Sequence, residues 1–487
     1  MGWRGRATAA TLTFSVLIGG YLVLDAHDVV PGILTLAPPP PQPAPFPTAL
    51  AATIGPEPVS VLPRLPEDAP VPDSGDVQIM VRALASEERL GERVGVIVID
   101  ALTGDVLGSA APYSQFAPAS TQKILTAVAV HNELDVESTL DTVAMLDRTN
   151  RVTLVGGGDM LLAAGAGDPA AINGRAGLGD LADQVAGRLR EAGVTAILLS
   201  YEDSMFTGPT VAAAVPAVDV ASGHIAPVAS LAVNVAAKGD EPRGPRYPDP
   251  ALNAAEVFAS QLRQRGIRVS DRIEPSQPAE DAIEIGRVHS ATLREISAWT
   301  QLRSDNTLTE VLGRLVAIEM GHPATGEDAL NAVLESLESL GINTSAAALV
   351  DLSGLGRGSL ISPRLLADIT LATLNPEHPH LRDVFTDMPI CGLSGTLALR
   401  CPNDNPALGV TRAKTGSLPG VRGLVGTVMT SDDRLLVFAI NADEIPVASL
   451  FGATIMYDLF VGQLAAFDSP DWPPPPAEDD GEETGDD

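Results

Sequence analysis

The sequence predicts an α/β (α+β) chain, an antiparallel sheet between helical layers with an α/β domain inserted into it. Three observations carry this. Strand-like runs follow one another at residues 410–414, 423–430 and 435–442, and a largely apolar helix closes the region at 447–467. A strand at 94–100 turns at 102–104 into an antiparallel partner at 104–109, between two helical patterns. The long stretch between Ser120 and Ser304 alternates short helices and strands.

In chain order, residues 77–90 have helical spacing and lead to the hairpin. Next comes Phe116-Ala-Pro-Ala-Ser120-Thr-Gln-Lys123-Ile-Leu-Thr-Ala-Val-Ala-Val130, helix formers and small apolar residues with Pro118 two places before the serine. Proline there suits a helix start. Residues three apart share a helix face, so the Ser120 hydroxyl and the Lys123 amine meet in the first turn. The serine has the helix's free N–H donors and the positive end of its dipole beside it. A neutral amine could take the hydroxyl proton. A lone S-x-x-K also arises by chance in a chain of this length.

Lysine usage sharpens the reading. Of 31 Lys+Arg residues only Lys123, Lys238 and Lys414 are lysine, so most cationic positions have accepted Arg. A lysine can lose its proton when buried and an arginine cannot. Lys414 opens Lys414-Thr415-Gly416, and Ser304-Asp305-Asn306 stands between the two lysine motifs. S-x-x-K, S-D-N and K-T-G in this order are the set of penicillin-binding proteins and class A β-lactamases.

The insert reads as strand 151–159 ending in a glycine turn, helix 178–192, strand 196–200, helix 251–265 and a strand from 266. No G-K-[ST] follows the glycines, so a phosphate loop is a weak reading. Residues 293–321 read as helix, loop, helix, with Ser304-Asp-Asn306 in the loop. A helix follows at 327–340, a turn at 351–356, and a helix through 374 capped by Ser362 with Pro363 in its first turn. The expected organisation is 1–37 cytoplasmic stub and apolar segment, 38–75 Pro-rich linker, 76–145 with 285–467 main domain, 146–284 insert and 468–487 acidic tail.

Arg4 and Arg6 precede an uncharged run, 7–24, closed by Asp25. It is just long enough to span a bilayer and lacks a clean cleavage site, so an uncleaved signal anchor is expected, with cleavage nearby as the alternative. The membrane is thus an expected partner, through the N-terminal segment. The linker fits an extended stalk. The net charge of −31 argues against nucleic acid. Cys391 and Cys401 flank a short loop and, in an exported chain, could form a disulfide. Neither they nor His378 and His380, in a Pro-rich loop, resemble a zinc site.

The chain resembles the class C low-molecular-mass penicillin-binding proteins, the D-alanyl-D-alanine carboxypeptidase/endopeptidase family (peptidase family S13). Besides the three motifs the likeness rests on Val155-Gly-Gly-Gly-Asp159, Asp203-Ser-Met-Phe-Thr-Gly208, Ser230-Leu-Ala-Val-Asn234, Asp351-Leu-Ser-Gly-Leu355, Ser362-Pro363, Gly395-Thr-Leu397 and Ala413-Lys-Thr-Gly-Ser417-Leu-Pro-Gly-Val421. It covers about 76–463. Leu352 and Gly356 stand where the family pattern has Gly and Ser, a difference of packing rather than chemistry.

The resemblance implies a penicilloyl-serine transferase (β-lactamase/transpeptidase-like) fold and a bacterial enzyme on the outer side of the membrane or in the wall. Ser120 would be the nucleophile and Lys123 the base that activates it. Ser304 would relay a proton to the leaving amine, Asn306 hold the acyl amide, and Lys414 with Thr415 bind the terminal carboxylate across the Gly416 strand. Backbone N–H groups of Ser120 and Ser417 would form the oxyanion hole. Asp305 is read as structural. The substrates implied are peptidoglycan stem peptides, with β-lactam antibiotics as covalent inhibitors. No metal or organic cofactor is implied.

A class A β-lactamase would carry E-x-x-x-N after S-D-N, whereas Glu335 and Glu338 are followed four places on by Ser339 and Ile342. A Ser-His-Asp hydrolase would need a G-x-S-x-G elbow, which is missing. A non-catalytic wall-binding protein on this fold is the remaining alternative, and intact Lys123 and Lys414 speak against it.

Overall fold

A computed structural model describes residues 18–27, 29–30, 66, 68–239, 244–402 and 404–467. The chain divides into Met1–Arg64 and Leu65–Asp487. In the first unit residues 18–26 are helical, the C-terminal part of the expected anchor. Its earlier part, most of the linker and the acidic tail lie outside the described residues.

The second unit opens with α1 (Ser74–Ala85), β1 (Val94–Asp100), β2 (Val106–Ala110) and α2 (Lys123–Glu133). It continues through β3 (Thr139–Leu146), β4 (Arg151–Gly156), β5 (Asp159–Leu162), α3 (Leu178–Glu191), β6 (Ala196–Glu202) and β7 (Leu231–Val233). Next are α4 (Pro250–Gln264), β8 (Arg268–Val269), β9 (Glu274–Pro275), β10 (Ile283–Thr292), α5 (Leu293–Arg303), α6 (Asn306–Glu319), α7 (Gly326–Ser339) and α8 (Pro363–Ala372). It ends with β11 (Thr411–Leu418), β12 (Val421–Met429), β13 (Leu435–Ala442) and α9 (Leu450–Ala465).

The main sheet has five strands in the order β11-β12-β13-β1-β2, all antiparallel. Every residue of β1 and of β13 is buried, because helices cover both faces. Alternation along β1 sends Val94, Val96 and Val98 into one core with α1 and α9. Ile97 and Ile99 go into the other, with α2 and α8. β11 is the edge strand, so its free side can receive a ligand.

A second sheet runs β10-β3-β4-β6-β8, with β9 also on β6. It is antriparallel between β10, β3 and β4 and parallel between β4, β6 and β8. It draws its strands from residues 139–292, and α3 and α4 bury Leu181, Val185, Leu189, Phe258 and Leu262 in the larger core. Val447–Ala465 is apolar and long enough to cross a membrane by composition. Yet Tyr457, Phe460, Val461 and Leu464 are buried in the core beneath the main sheet.

Arg434, at the start of the last hairpin strand, donates to the Asp100 carboxylate at 2.5 and 3.1 Å, both side chains being out of contact with water. Removing one partner strands the other as a buried charge. Asp100→Ala is therefore expected to cost about 3–5 kcal/mol in urea denaturation, whereas a surface pair such as Arg188–Glu191 costs under about 1 kcal/mol.

Candidate active site

Ser120 lies in a 3-10 turn, Ala119–Gln122, that runs directly into α2. The sequence suggests an α-helix already at Ser120; the structure has instead this tighter turn, which opens with Ala119 at a left-handed φ of 49°. Thr121 Oγ1 donates to the Pro118 carbonyl at 2.7 Å and pins the turn. Lys123 opens α2 with its side chain 2% exposed overall. Its Nζ lies 2.9 Å from Ser120 Oγ, 2.6 Å from Asn306 Oδ1 and 2.5 Å from the Ser353 carbonyl oxygen.

Ser304 and Asn306 are brought in by the junction of α5 and α6. Ser304 ends α5 in the left-handed conformation, φ 55°. Asp305 caps α6, its carboxylate accepting from Leu308 N–H at 2.9 Å, which is the structural part read from the sequence. Asn306 is not in the loop but is the first residue of α6, and its Nδ2 donates to the His224 carbonyl at 2.8 Å. Lys414 on β11 is fully buried and donates to Ser304 Oγ at 2.8 Å and to the Thr415 carbonyl at 3.0 Å. Gly416 faces Pro118 and Thr121, and Ser417 is exposed at the mouth. A cavity of about 900 Å³ opens over Ser120, Ser304, Asn306, Thr415, Gly416 and Ser417.

Burial pulls the Lys123 amine down to about 8, against the opposing pull of the Asp351, Asp305 and Glu310 carboxylates. Lys414 is pulled well below its ordinary value, first by burial and then by the charge of Lys123. Burial is thus the leading cause at both lysines. A neutral amine has two N–H bonds and one lone pair. Asn306 Oδ1 and the Ser353 carbonyl can only accept, so they take the two N–H bonds and the lone pair is left to Ser120.

Several parts of this arrangement carry no motif. The Ser353 carbonyl is presented by a turn wrapped around the Asp351 carboxylate, which accepts from Ser353 Oγ and from the N–H groups of Gly354, Leu355 and Gly356. Glu310 braces it from α6, accepting from Leu352 and Ser353 N–H at 2.8 and 3.1 Å and pairing with buried Arg314. Leu352, the departure noted above, is accommodated by Gly313, where a Cβ would lie 2.3 Å from Leu352 Cδ1. Asp219 lines the cavity; its Oδ2 accepts no hydrogen bond from the described residues and lies 3.7 Å from Arg357. Thr396 reaches Thr415, Oγ1 to Oγ1 at 2.8 Å. The turn 351–356 and Gly395-Thr-Leu397 were visible as patterns, but their contacts depend on tertiary packing. Cys391 and Cys401 are bonded to each other.

A serine in contact with one buried lysine, facing a second serine and lysine across a groove, defines the class. This is an active-site-serine enzyme of the penicillin-recognising fold, in which amines replace the histidine of other serine hydrolases. The sequence profile of the D-Ala-D-Ala carboxypeptidase 3 (S13) family matches residues 77–242 and 236–451. Carboxypeptidase Rv3627c of Mycobacterium tuberculosis is 34% identical over 83% of this chain and 86% of its own. Carboxypeptidase DacB of Mycolicibacterium smegmatis is 33% identical over 77% of this chain and 82% of its own. The crystal structure of penicillin binding protein 4 (dacB) from Haemophilus influenzae superimposes with a TM-score of 0.66 at 19% identity, over 78% of this chain and 97% of that one, and shares the fold. The chain belongs to the S13 family and is a serine-type D-Ala-D-Ala carboxypeptidase.

Gly354 passes so close to the turn that carries Ser120 that a Cβ would lie 2.0 Å from the Ala119 carbonyl oxygen, and its φ is 72°. Gly354→Ala is expected to cost more than about 2 kcal/mol in thermal unfolding and to slow acylation of Ser120 together with it.

Proposed function

We propose that this enzyme trims peptidoglycan stem peptides through an acyl-enzyme on Ser120, on the outer side of the cytoplasmic membrane. The observation that carries the reading is the placement of Lys123 Nζ, 2.9 Å from Ser120 Oγ with its other acceptors already assigned. Lys123 takes the hydroxyl proton as Oγ attacks the carbonyl of the penultimate D-Ala. Backbone N–H groups of Ser120 and Ser417 hold the oxyanion. Asn306 holds the acyl amide, and Ser304 passes a proton to the leaving amine as the C–N bond breaks. Water then attacks the ester, and Ser120 recovers its proton.

Lys414 and Thr415 bind the carboxylate of the leaving D-Ala. In the free site burial and Lys123 push Lys414 toward neutrality. A carboxylate beside it favours its charged form. That charge in turn disfavours an ammonium at Lys123. Substrate binding therefore helps to make the base.

The same acyl-transfer chemistry would also serve a second activity, cleavage of D-Ala to diamino-acid cross-links, in an open groove of about 900 Å³. β-Lactams would acylate the same serine; the Haemophilus influenzae protein has been crystallised with one. The apolar N-terminal segment, of which 18–26 are helical, would hold the enzyme at the membrane. Residues 146–284 would form the inserted domain, its sheet completed by the flanking strands β3 and β10.

Incubating the protein with a fluorescent penicillin beside Ser120→Ala tests the reading. Label mapping to the Ser120 peptide, absent from the variant, with D-Ala released from stem peptides, is the expected result. A folded wild-type protein that takes no label would favour a non-catalytic wall-binding role instead.

Lys123 also sets a pH dependence. Its neutral fraction grows as pH rises through about 8. The acylation rate is expected to rise about tenfold per pH unit below that value and to level off above it. Lys123→Arg, which keeps the charge but cannot supply a base, is expected to abolish the rise together with the labelling.

A further inference from the structure

The groove has a second hydroxyl beside Thr415, that of Thr396 in the Gly395-Thr-Leu397 pattern, to which no role has been given above. Thr396 lines the cavity, exposed to it, and accepts a hydrogen bond from Thr415 Oγ1 at 2.8 Å. It belongs to a short helical turn, Gly395–Leu397, that packs between the end of α5, next to Ser304, and β11.

The loop around it is fastened on every side. The Cys391–Cys401 disulfide closes it. Cys391 N–H donates to the Thr411 carbonyl at 3.0 Å, tying its start to β11. Gly392 N–H donates to the Leu397 carbonyl at 3.0 Å, and Ile390 N–H to Ser394 Oγ at 3.0 Å. Leu397 is buried beneath the turn, and Arg400 at its far end grips Asp458 of α9 at 2.6 and 2.9 Å. A loop held this firmly fixes Thr396 instead of letting it adapt to the ligand.

Four arginines and two aspartates line the cavity although the chain carries −31. Arg303, one residue before Ser304, lines the same cavity; its guanidinium lies 4.4 Å from the Trp299 ring centre and makes no ion pair among the described residues. Arg400 lines it too, but its charge is met by Asp458, so Arg303 is the cation that suits this wall to an anion.

A carboxylate is acceptor-only, with two oxygens to satisfy. In the free site one threonine hydroxyl must spend its proton on the other. We propose that both hydroxyls turn to the leaving residue's carboxylate when substrate binds, so that Thr396 is a substrate-binding residue that shares the free-acid specificity with Thr415. The inference rests on the reading above in which Thr415 meets that carboxylate.

The test compares a stem-peptide analogue ending in D-Ala-D-Ala as the free acid with the same peptide ending in the amide. The quantity read is the ratio of the two kcat/KM values. Thr396→Val is expected to lower that ratio about tenfold or more, the range for a hydrogen bond to a charged group, and Thr396→Ser to keep it. A ratio unchanged in Thr396→Val, whatever happens to the absolute rates, would overturn the proposal and leave Thr396 a structural residue. A loss of the ratio in Thr396→Ser as great as in Thr396→Val would overturn it also, since the hydroxyl would not be the cause. If wild type does not prefer the acid, or Thr415→Val leaves its preference intact, the carboxylate reading of Thr415 is what fails, and the proposal falls with it.

Discussion

The site depends on keeping an amine in a place without water. Lys123 is fully enclosed, and a charged ammonium moved there pays a desolvation cost of several kcal/mol. Three acceptors and three nearby carboxylates reduce that cost, and the three acceptors come from different parts of the chain. Ser120 belongs to the 3-10 turn before α2, Asn306 to the start of α6, and Ser353 to the turn around Asp351. The Glu310 carboxylate that braces Ser353 is itself buried, and burial raises its pKa, with the Asp351 charge acting in the same direction. It is stabilised by two N–H groups and by Arg314. The polar core is thus one network whose output is the direction of a single lone pair.

The two sides of the site are built by different physics. The helical side supplies Ser120, Lys123, Ser304 and Asn306 from helix starts and ends, where backbone groups are free and the first side chain of a helix has a fixed direction. The sheet side supplies Lys414, Thr415 and Ser417 from an edge strand, where alternate side chains face opposite ways. Lys414 therefore points inward to Ser304 while Thr415 reaches Thr396. The register of β11 on β12, with Lys414 opposite Val425 and Ser417 opposite Arg422, holds both in place. A slip of one residue would exchange the buried lysine for a threonine.

Much of this was legible in the sequence because it is local. Helix periodicity, the hairpin and the three motifs each depend on neighbours within a few positions, and the scarcity of lysine singled out Lys123 and Lys414 before any contact was known. The fold class follows from the same patterns. Other features are invisible there for a physical reason. The Ser353 carbonyl is a backbone group, present at every residue, and only the wrapped turn makes it a ligand of Lys123. Gly354 matters because of the Ala119 carbonyl beside it, more than two hundred positions away in sequence. The left-handed Ala119, and the 3-10 turn that replaces an α-helical start, likewise follow from packing rather than from propensity.

The buried lysines also set a condition on the ligand. Two enclosed amines within one hydrogen-bonded site cannot both be charged cheaply, and Lys123 is the charge that pulls Lys414 down after burial itself. An incoming carboxylate changes the balance by adding a negative charge on the Lys414 side. Under the proposed mechanism charge then sits best on Lys414, and Lys123 is left to act as the base beside Ser120. A ligand without that carboxylate could occupy the groove, yet it would leave the proton distributed as in the free enzyme. Selection for a free acid and activation of the serine are on this account two effects of one electrostatic coupling, carried from β11 to α2 by a pair of side chains.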